Sequence, residues 1–382
     1  MAETKDKLPL NNALKSMLDT SIEESKNDRD TEYIETCDVG LDLALTNGLG
    51  LPLGASVLLY AEPGCGKTTL LGDTSRRLIA QAKQKGEPFK VLYLASEGSR
   101  ELLKKLGLEE FMRSGDFIYV EKPLTWRLVE TYYEAVLQGY KAYKDVKMVV
   151  IDSINTVLSD QNQIKSVADG DFGSKAKERT GFYSKYLPRC AEKGVATFLV
   201  AQIRNNQDAT TPYASKEKAA ASFPDLHSVE IIIRCGKKTS LTETKKVVVK
   251  TVFGEVKEQK KYVLSLNSSA GNCKNRYFQG TPSEVMVIKG EGIDNTYAVR
   301  KILEGNGYLV NKGGWYVFNS ALDDLIPDVS SSKMRLEDAN NIVSENREVL
   351  INFLKQSNQY KLEISETEVD EDDGEYYEEE DE

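Results

Sequence analysis

Lys67 and Thr68 close the run Ala61-Glu62-Pro63-Gly64-Cys65-Gly66-Lys67-Thr68, which follows an apolar stretch at 55–60 and leads through Thr69 into a helical pattern. A buried strand that turns through glycines into a helix aims backbone N–H groups and the positive end of the helix at one point. That point is a site for a polyphosphate. In such a loop the backbone of Glu62, Pro63, Gly64, Cys65, Gly66, Lys67, Thr68 and Thr69 forms the cradle. The Lys67 ammonium reaches the outer phosphates and the Thr68 hydroxyl takes Mg²⁺. The spacing fits the phosphate-loop pattern with Ala61 in place of its first glycine, so a nucleoside triphosphate with Mg²⁺ is the expected ligand.

Three further polar residues stand at the ends of apolar runs. Met148-Val149-Val150-Ile151 delivers Asp152, a second oxygen anchor for Mg²⁺ beside the loop. Val91-Leu92-Tyr93-Leu94-Ala95-Ser96 is followed by Glu97, a carboxylate placed to orient or deprotonate an attacking water. Phe198-Leu199-Val200-Ala201 ends in Gln202, whose neutral amide is no base but can hydrogen-bond a terminal phosphate and register its loss. Two aperiodic stretches, 163–174 and 203–224, follow the Asp152 and Gln202 runs. Loops of that length inside a compact domain are functional or mobile.

These residues need a scaffold that brings strand ends together. Strand-like runs at 56–61, 90–95, 117–120, 147–151, 196–201 and 229–234 alternate with helical patterns at 68–85, 99–106, 124–143 and 175–193. That alternation predicts an α/β fold with a mostly parallel central sheet and helices on both faces. In such sheets ligands sit at the carboxyl ends of the strands. Runs at 247–252 and 262–266 predict paired strands with a charged turn at 254–261. Eight basic and three acidic residues between positions 237 and 261 make this hairpin a surface for nucleic acid or another partner, or simply a solvated face. Leu336, Ala339, Val343, Leu350 and Phe353 predict one helix in a small C-terminal unit. At the other end, Leu10, Leu14, Met17, Leu18 and Ile22 predict an amphipathic helix outside the core that packs on its own domain or, the favoured reading, on a neighbouring subunit. The expected organisation is an N-terminal helix and linker at 1–35, an ATPase core at 36–300, the C-terminal unit at 301–362 and a tail at 363–382.

Charge and composition narrow the function further. The 382-residue chain has a net charge of −10, yet residues 363–382 carry 13 acidic side chains and no basic one. Without them, 50 basic residues face 47 acidic ones, a body of +3. Such an acidic run cannot bury enough apolar surface to fold, so a disordered tail is expected, either a solubiliser or a competitor for a basic surface. The five dispersed cysteines and the single histidine, His227, argue against zinc or histidine chemistry and for a reducing compartment. No signal segment and no apolar run of about 18 residues is present, so a cytoplasmic protein with no membrane partner is expected.

Taken together, these residues resemble the RecA family of DNA recombinases, in its bacterial or bacteriophage form. The resemblance runs from Asp38-Val39-Gly40-Leu41-Asp42 before the loop, through Glu97, Asp152-Ser153 and Phe172-Gly173, to Ala201-Gln202-Ile203-Arg204. It continues in Lys274-Asn275-Arg276, Gly290-Glu291-Gly292-Ile293 and Gly313-Gly314-Trp315-Tyr316, and covers about residues 36–320. It implies a RecA-like phosphate-loop ATPase that binds ATP with Mg²⁺. Glu97, Lys67 and Gln202 would be catalytic, and Lys274 and Arg276 would reach the ATP site of the next subunit. It also implies a head-to-tail helical filament on single-stranded DNA. Lys165, Lys175, Lys177, Arg179 and Arg204 would hold the DNA backbone, double-stranded DNA would be the second partner, and the activity would be homologous pairing and strand exchange in recombination and DNA repair. The sequence departs from the family at Ala219-Ala220, where a glycine pair usually ends the second DNA loop, and at Leu102-Leu103, where an adenine-stacking tyrosine is expected. A ring helicase or regulatory ATPase on the same core, and a filamentous DNA-binding scaffold with weak ATPase, are the alternatives. If the tail competes with DNA, deleting residues 363–382 should tighten duplex binding in titrations across salt concentrations; unchanged affinity would leave it a solubiliser.

Overall fold

The strand Ser56–Ala61 (β1) is buried at every position, and its side chains divide between two cores. Val57, Leu59 and Ala61 join one apolar cluster, while Leu58 and Tyr60 join another. The same alternation holds in Lys90–Ala95 (β2) and Val146–Asp152 (β4), which is why these runs read as continuously apolar. The computed structural model describes residues 31–96, 98–160, 174–205, 217–219, 223–238, 245–251, 254–269, 273–278 and 282–356. The N-terminal amphipathic segment, Glu97, most of the first loop and the acidic tail lie outside the described residues.

The remaining strands of the main sheet are Phe117–Glu121 (β3), Ala196–Asn205 (β5), Ile231–Lys238 (β6), Lys245–Thr251 (β7), Gly254–Asn267 (β8), Ser283–Ile288 (β9) and Gly292–Asp294 (β10), with the short strands Glu217–Ala219 and Lys274–Asn275 paired to β5 and β6. Their order is β10-β9-β8-β6-β1-β5-β4-β2-β3, with β7 paired to β8. From β6 to β3 every neighbouring pair is parallel, and from β6 to β10 every pair is antiparallel. The fold is therefore α/β with a mostly parallel centre and an antiparallel wing. One face is covered by Val39–Thr46 (α1) and Lys67–Lys85 (α2), and the other by Trp126–Leu137 (α4) and Ser174–Glu192 (α5). The short helix Arg100–Lys105 (α3) follows β2.

Helix ends show where local chemistry overrides periodicity. α2 starts at Gly66, with φ of 100°, and stops at Gly86, whose N–H bonds the Ala82 and Lys83 carbonyls. α4 ends at Leu137, short of the expected 143, because Gly139 takes a left-handed φ of 64° and the Tyr140 N–H turns back to the Ala135 carbonyl. The single C-terminal helix expected from the apolar spacing is two helices, Leu336–Glu345 (α7) and Arg347–Gln356 (α8). Asn346 separates them, bonding the Ile342 carbonyl through both its backbone and its side-chain amide. The charged turn expected at 254–261 is also corrected. The backbone there is strand, paired to β7 with Val249 opposite Val256. Ladder bonding to a partner strand sets this, and charge patterning does not reveal it.

α1 is buried at all eight positions and serves two cores. Leu41, Ala44 and Leu45 face the sheet, whereas Val39 and Leu43 join a third cluster with Asn295–Gly305 (α6), α7, α8 and the hairpin of Leu309–Lys312 and Trp315–Phe318. Two buried carboxylates hold its start. Asp38 caps the helix by accepting from the Leu41 N–H at 3.1 Å, and Asp42 accepts from the Thr36 N–H and hydroxyl at 3.0 and 2.6 Å. Burial pushes Asp38 up to about 6 and Asp42 up to about 8. The folded chain thus keeps a proton on Asp42 that the unfolded chain loses near pH 4. Stability from this group is full below that pH and falls as pH rises through 8. Between pH 5 and 8, urea unfolding should show Asp42→Asn gaining more than about 1 kcal/mol relative to wild type; parallel pH profiles would refute it.

Candidate nucleotide-binding site

The sheet register brings the polar strand ends into line. Ala61 of β1 pairs with Gln202 of β5, Val200 pairs with Asp152 of β4, and Asp152 pairs with Ala95 of β2. Because β5 lies between β1 and β4, the Gln202 end sits between the loop that carries Lys67 and the Asp152 carboxylate. A cavity of about 390 Å³ opens there. It is lined by the loop from Pro63 to Thr69, by Asp152 and Gln202, and by residues of the antiparallel wing.

Within it, the Lys67 ammonium donates to the carbonyls of Ala61 and Glu62 at 3.1 and 2.9 Å, which holds it over its own loop. The Thr68 hydroxyl donates to Asp152 Oδ2 at 2.8 Å. The same oxygen accepts from the Tyr93 hydroxyl at 2.7 Å, and Tyr93 is fully buried in β2. Burial, reinforced by the Asp152 charge, keeps that phenol protonated and therefore a donor. On the backbone side, the Ser96 hydroxyl donates to the Asp152 carbonyl at 3.1 Å and accepts from the Ser153 N–H at 3.0 Å, and it shares a short hydrogen bond with Thr156. Asn155 accepts from the Gln202 N–H at 3.0 Å, tying the segment after β4 to the end of β5.

The loop depends on two left-handed glycines, Gly64 and Gly66. A Cβ at Gly66 would lie 2.5 Å from the hydroxyl oxygen of Tyr262, so the position is closed to side chains by conformation and by space. Cys65 is buried, which pushes its thiol up and away from reactivity.

Other expected residues are placed differently. Glu97 lies outside the described residues; its neighbours Gly98 and Ser99 line a second cavity that shares Thr68 and Asp152 with the first. Lys274 and Arg276 do not line either cavity in the single chain. The Lys274 ammonium donates to the carbonyls of Leu226, His227 and Val229, and Arg276 donates to that of His227. Burial, with Arg276 beside it, lowers the Lys274 pKa. Among the residues expected to hold DNA, Lys177 is exposed on α5, while Arg179 is only 8% exposed and so is withdrawn from the surface. Lys165 and the side chains of Lys175 and Arg204 lie outside the described residues. Ala219 is in a short strand whose Cα pairs with that of Ile203, an extended conformation that alanine adopts freely.

Sequence reasoning missed Tyr93, Ser96, Asn155, Lys237, Tyr262 and Lys289. The last three line the main cavity from the antiparallel wing. Only a tyrosine inside an otherwise aliphatic strand hinted at Tyr93.

A family model described as an AAA domain matches residues 46–208. The DNA repair protein RadA of Aquifex aeolicus is 30% identical over 188 residues, 48% of this chain and 35% of that protein. RadA of Campylobacter jejuni is 35% identical over 147 residues, 38% of this chain and 28% of that protein. Protein RecA of Haemophilus ducreyi is 22% identical over 297 residues, 76% of this chain and 70% of that protein. The chain thus spans about a third of the RadA proteins' length. Removing the hydroxyl in Tyr93→Phe should lower stability in urea by about 1–3 kcal/mol, since a hydrogen bond to a buried carboxylate is lost. A variant as stable as wild type would show that Tyr93 does not seat Asp152.

Proposed function

Because this chain belongs to the RecA family, we propose that it is an ATP-hydrolysing recombinase that assembles on single-stranded DNA and promotes homologous pairing and strand exchange. The observation that carries the reading is the convergence of Lys67, Thr68, Asp152 and Gln202 on one cavity at the carboxyl ends of parallel strands. The similarity to RecA covers 297 residues, against the 46–208 matched by the AAA family model, which favours a recombinase over a ring-forming or regulatory ATPase.

The donor set fits Mg²⁺. A hydroxyl and a carboxylate 2.8 Å apart are hard oxygen ligands, and no group of three metal-ligating side chains occurs among the described residues. Such a site suits an ion that keeps waters and completes its shell with substrate phosphates. When bound, Mg²⁺ neutralises charge on those phosphates. Lys67 leaves its loop carbonyls to neutralise the outer phosphates, and Gln202 donates to the terminal one. Glu97, one residue past Ser96, orients the attacking water. Lys274 and Arg276 act on the neighbouring subunit, which makes hydrolysis depend on assembly in the manner of an arginine finger. Asn155 and Gln202 stand at the roots of the two loops that bind DNA, so phosphate occupancy biases both loops together. Of the residues expected to hold DNA whose side chains are described, Lys177 is the exposed one, open to a DNA phosphate.

Single-stranded DNA should raise the ATPase rate of the full chain severalfold, and a rate indifferent to DNA would remove the recombinase reading. Lys67→Ala should abolish turnover. Glu97→Gln should slow hydrolysis while retaining nucleotide binding, and normal turnover in that variant would free Glu97 from its role.

A further inference from the structure

The antiparallel wing contributes a cation that the phosphate-loop pattern does not contain. β6 lies parallel to β1 with Tyr60 opposite Arg234, so its continuation to Lys237 runs toward the same sheet edge as the phosphate loop. On its other side β6 pairs with β8, and Lys237 stands opposite Leu264. Tyr262 is two residues from Leu264 and shares its face, as their common core cluster shows. That register makes Lys237 and Tyr262 diagonal neighbours. The Lys237 ammonium accordingly sits 4.4 Å from the centre of the Tyr262 ring, a cation–π seat. The ring is buried, and its hydroxyl lies against Gly66, so the seat is anchored on the phosphate loop itself. Lys237 lines the main cavity together with Lys67 and Lys289, facing one described carboxylate, Asp152.

Resting on the nucleotide-site reading above, we propose that Lys237, seated on Tyr262, is a phosphate-binding residue of the same protomer. Three lysines of one chain therefore face the nucleotide before any neighbour arrives. Capture of the nucleotide is a property of the single protomer. The basic pair Lys274 and Arg276, held on carbonyls near 226–229 in the single chain, adds its charge only on assembly. Hydrolysis thus draws on two cations that binding does not, and only hydrolysis waits for the filament.

The test is equilibrium titration of a fluorescent, non-hydrolysable ATP analogue into full-length protein, at concentrations where sedimentation shows monomers and with DNA absent. Lys237→Gln should weaken binding about tenfold, the loss expected for one hydrogen bond to a charged group. Lys237→Arg, which keeps the charge and the ring contact, should stay within about threefold of wild type. Added salt should penalise wild type more than Lys237→Gln. Lys237 is exposed, so thermal melts should coincide for wild type and the two Lys237 variants. Wild-type-like affinity in Lys237→Gln would overturn this inference and leave the ATPase reading standing. Failure of wild type itself to bind the analogue would overturn both.

Discussion

A carboxylate withdrawn from water must be bonded where it stands, and Asp152 meets that demand with one hydroxyl from each side. Thr68 reaches it from the first turn of α2 and Tyr93 reaches it from β2, both on the same oxygen. This contact fixes the distance between the phosphate loop and the end of β4 across the intervening β5. Gln202 is then placed between them by the sheet ladder and by its N–H bond to Asn155. The Asp152–Ser153 peptide bond is cis, and Ser96 bonds both sides of it.

The two halves of the sheet do different work. The parallel half presents strand ends in register, which suits chemistry on a ligand laid across them. The antiparallel half supplies a wall: Tyr262 fills the space over Gly66, and Lys237 and Lys289 bring charge to the cavity. The strand that carries Tyr262 continues without a break to the hairpin of β7 and β8. The basic segment marked by its composition is therefore continuous in backbone with the phosphate loop's own support.

Legibility followed the range of the interactions. The six parallel strands were readable because burial on both faces demands unbroken apolar runs. The loop from Ala61 to Thr68 was readable because a phosphate cradle is a local backbone conformation enforced by Gly64 and Gly66. The end of α4 and the break at Asn346 were missed because one glycine or one asparagine outweighs several turns of apolar spacing. The strand at 254–261 was missed because its pairing partner, β7, decides its conformation. Arg179 read as a surface cation on a helix, yet it is buried, since helical spacing does not say which neighbours close over a face.

By itself, then, the sequence determined the phosphate loop, the apolar strands and the polar residues at their ends, because each is set by neighbours close in the chain. Only the tertiary structure decided that β5 separates β1 from β4, that Tyr93 and Thr68 share one oxygen of Asp152, and that Lys237 and Tyr262 close the cavity. Those contacts join residues 59, 84 and 196 positions from their partners on the loop or on Asp152. No local pattern encodes which strand lies beside which, and strand order and ladder register alone bring such distant side chains within hydrogen-bonding reach.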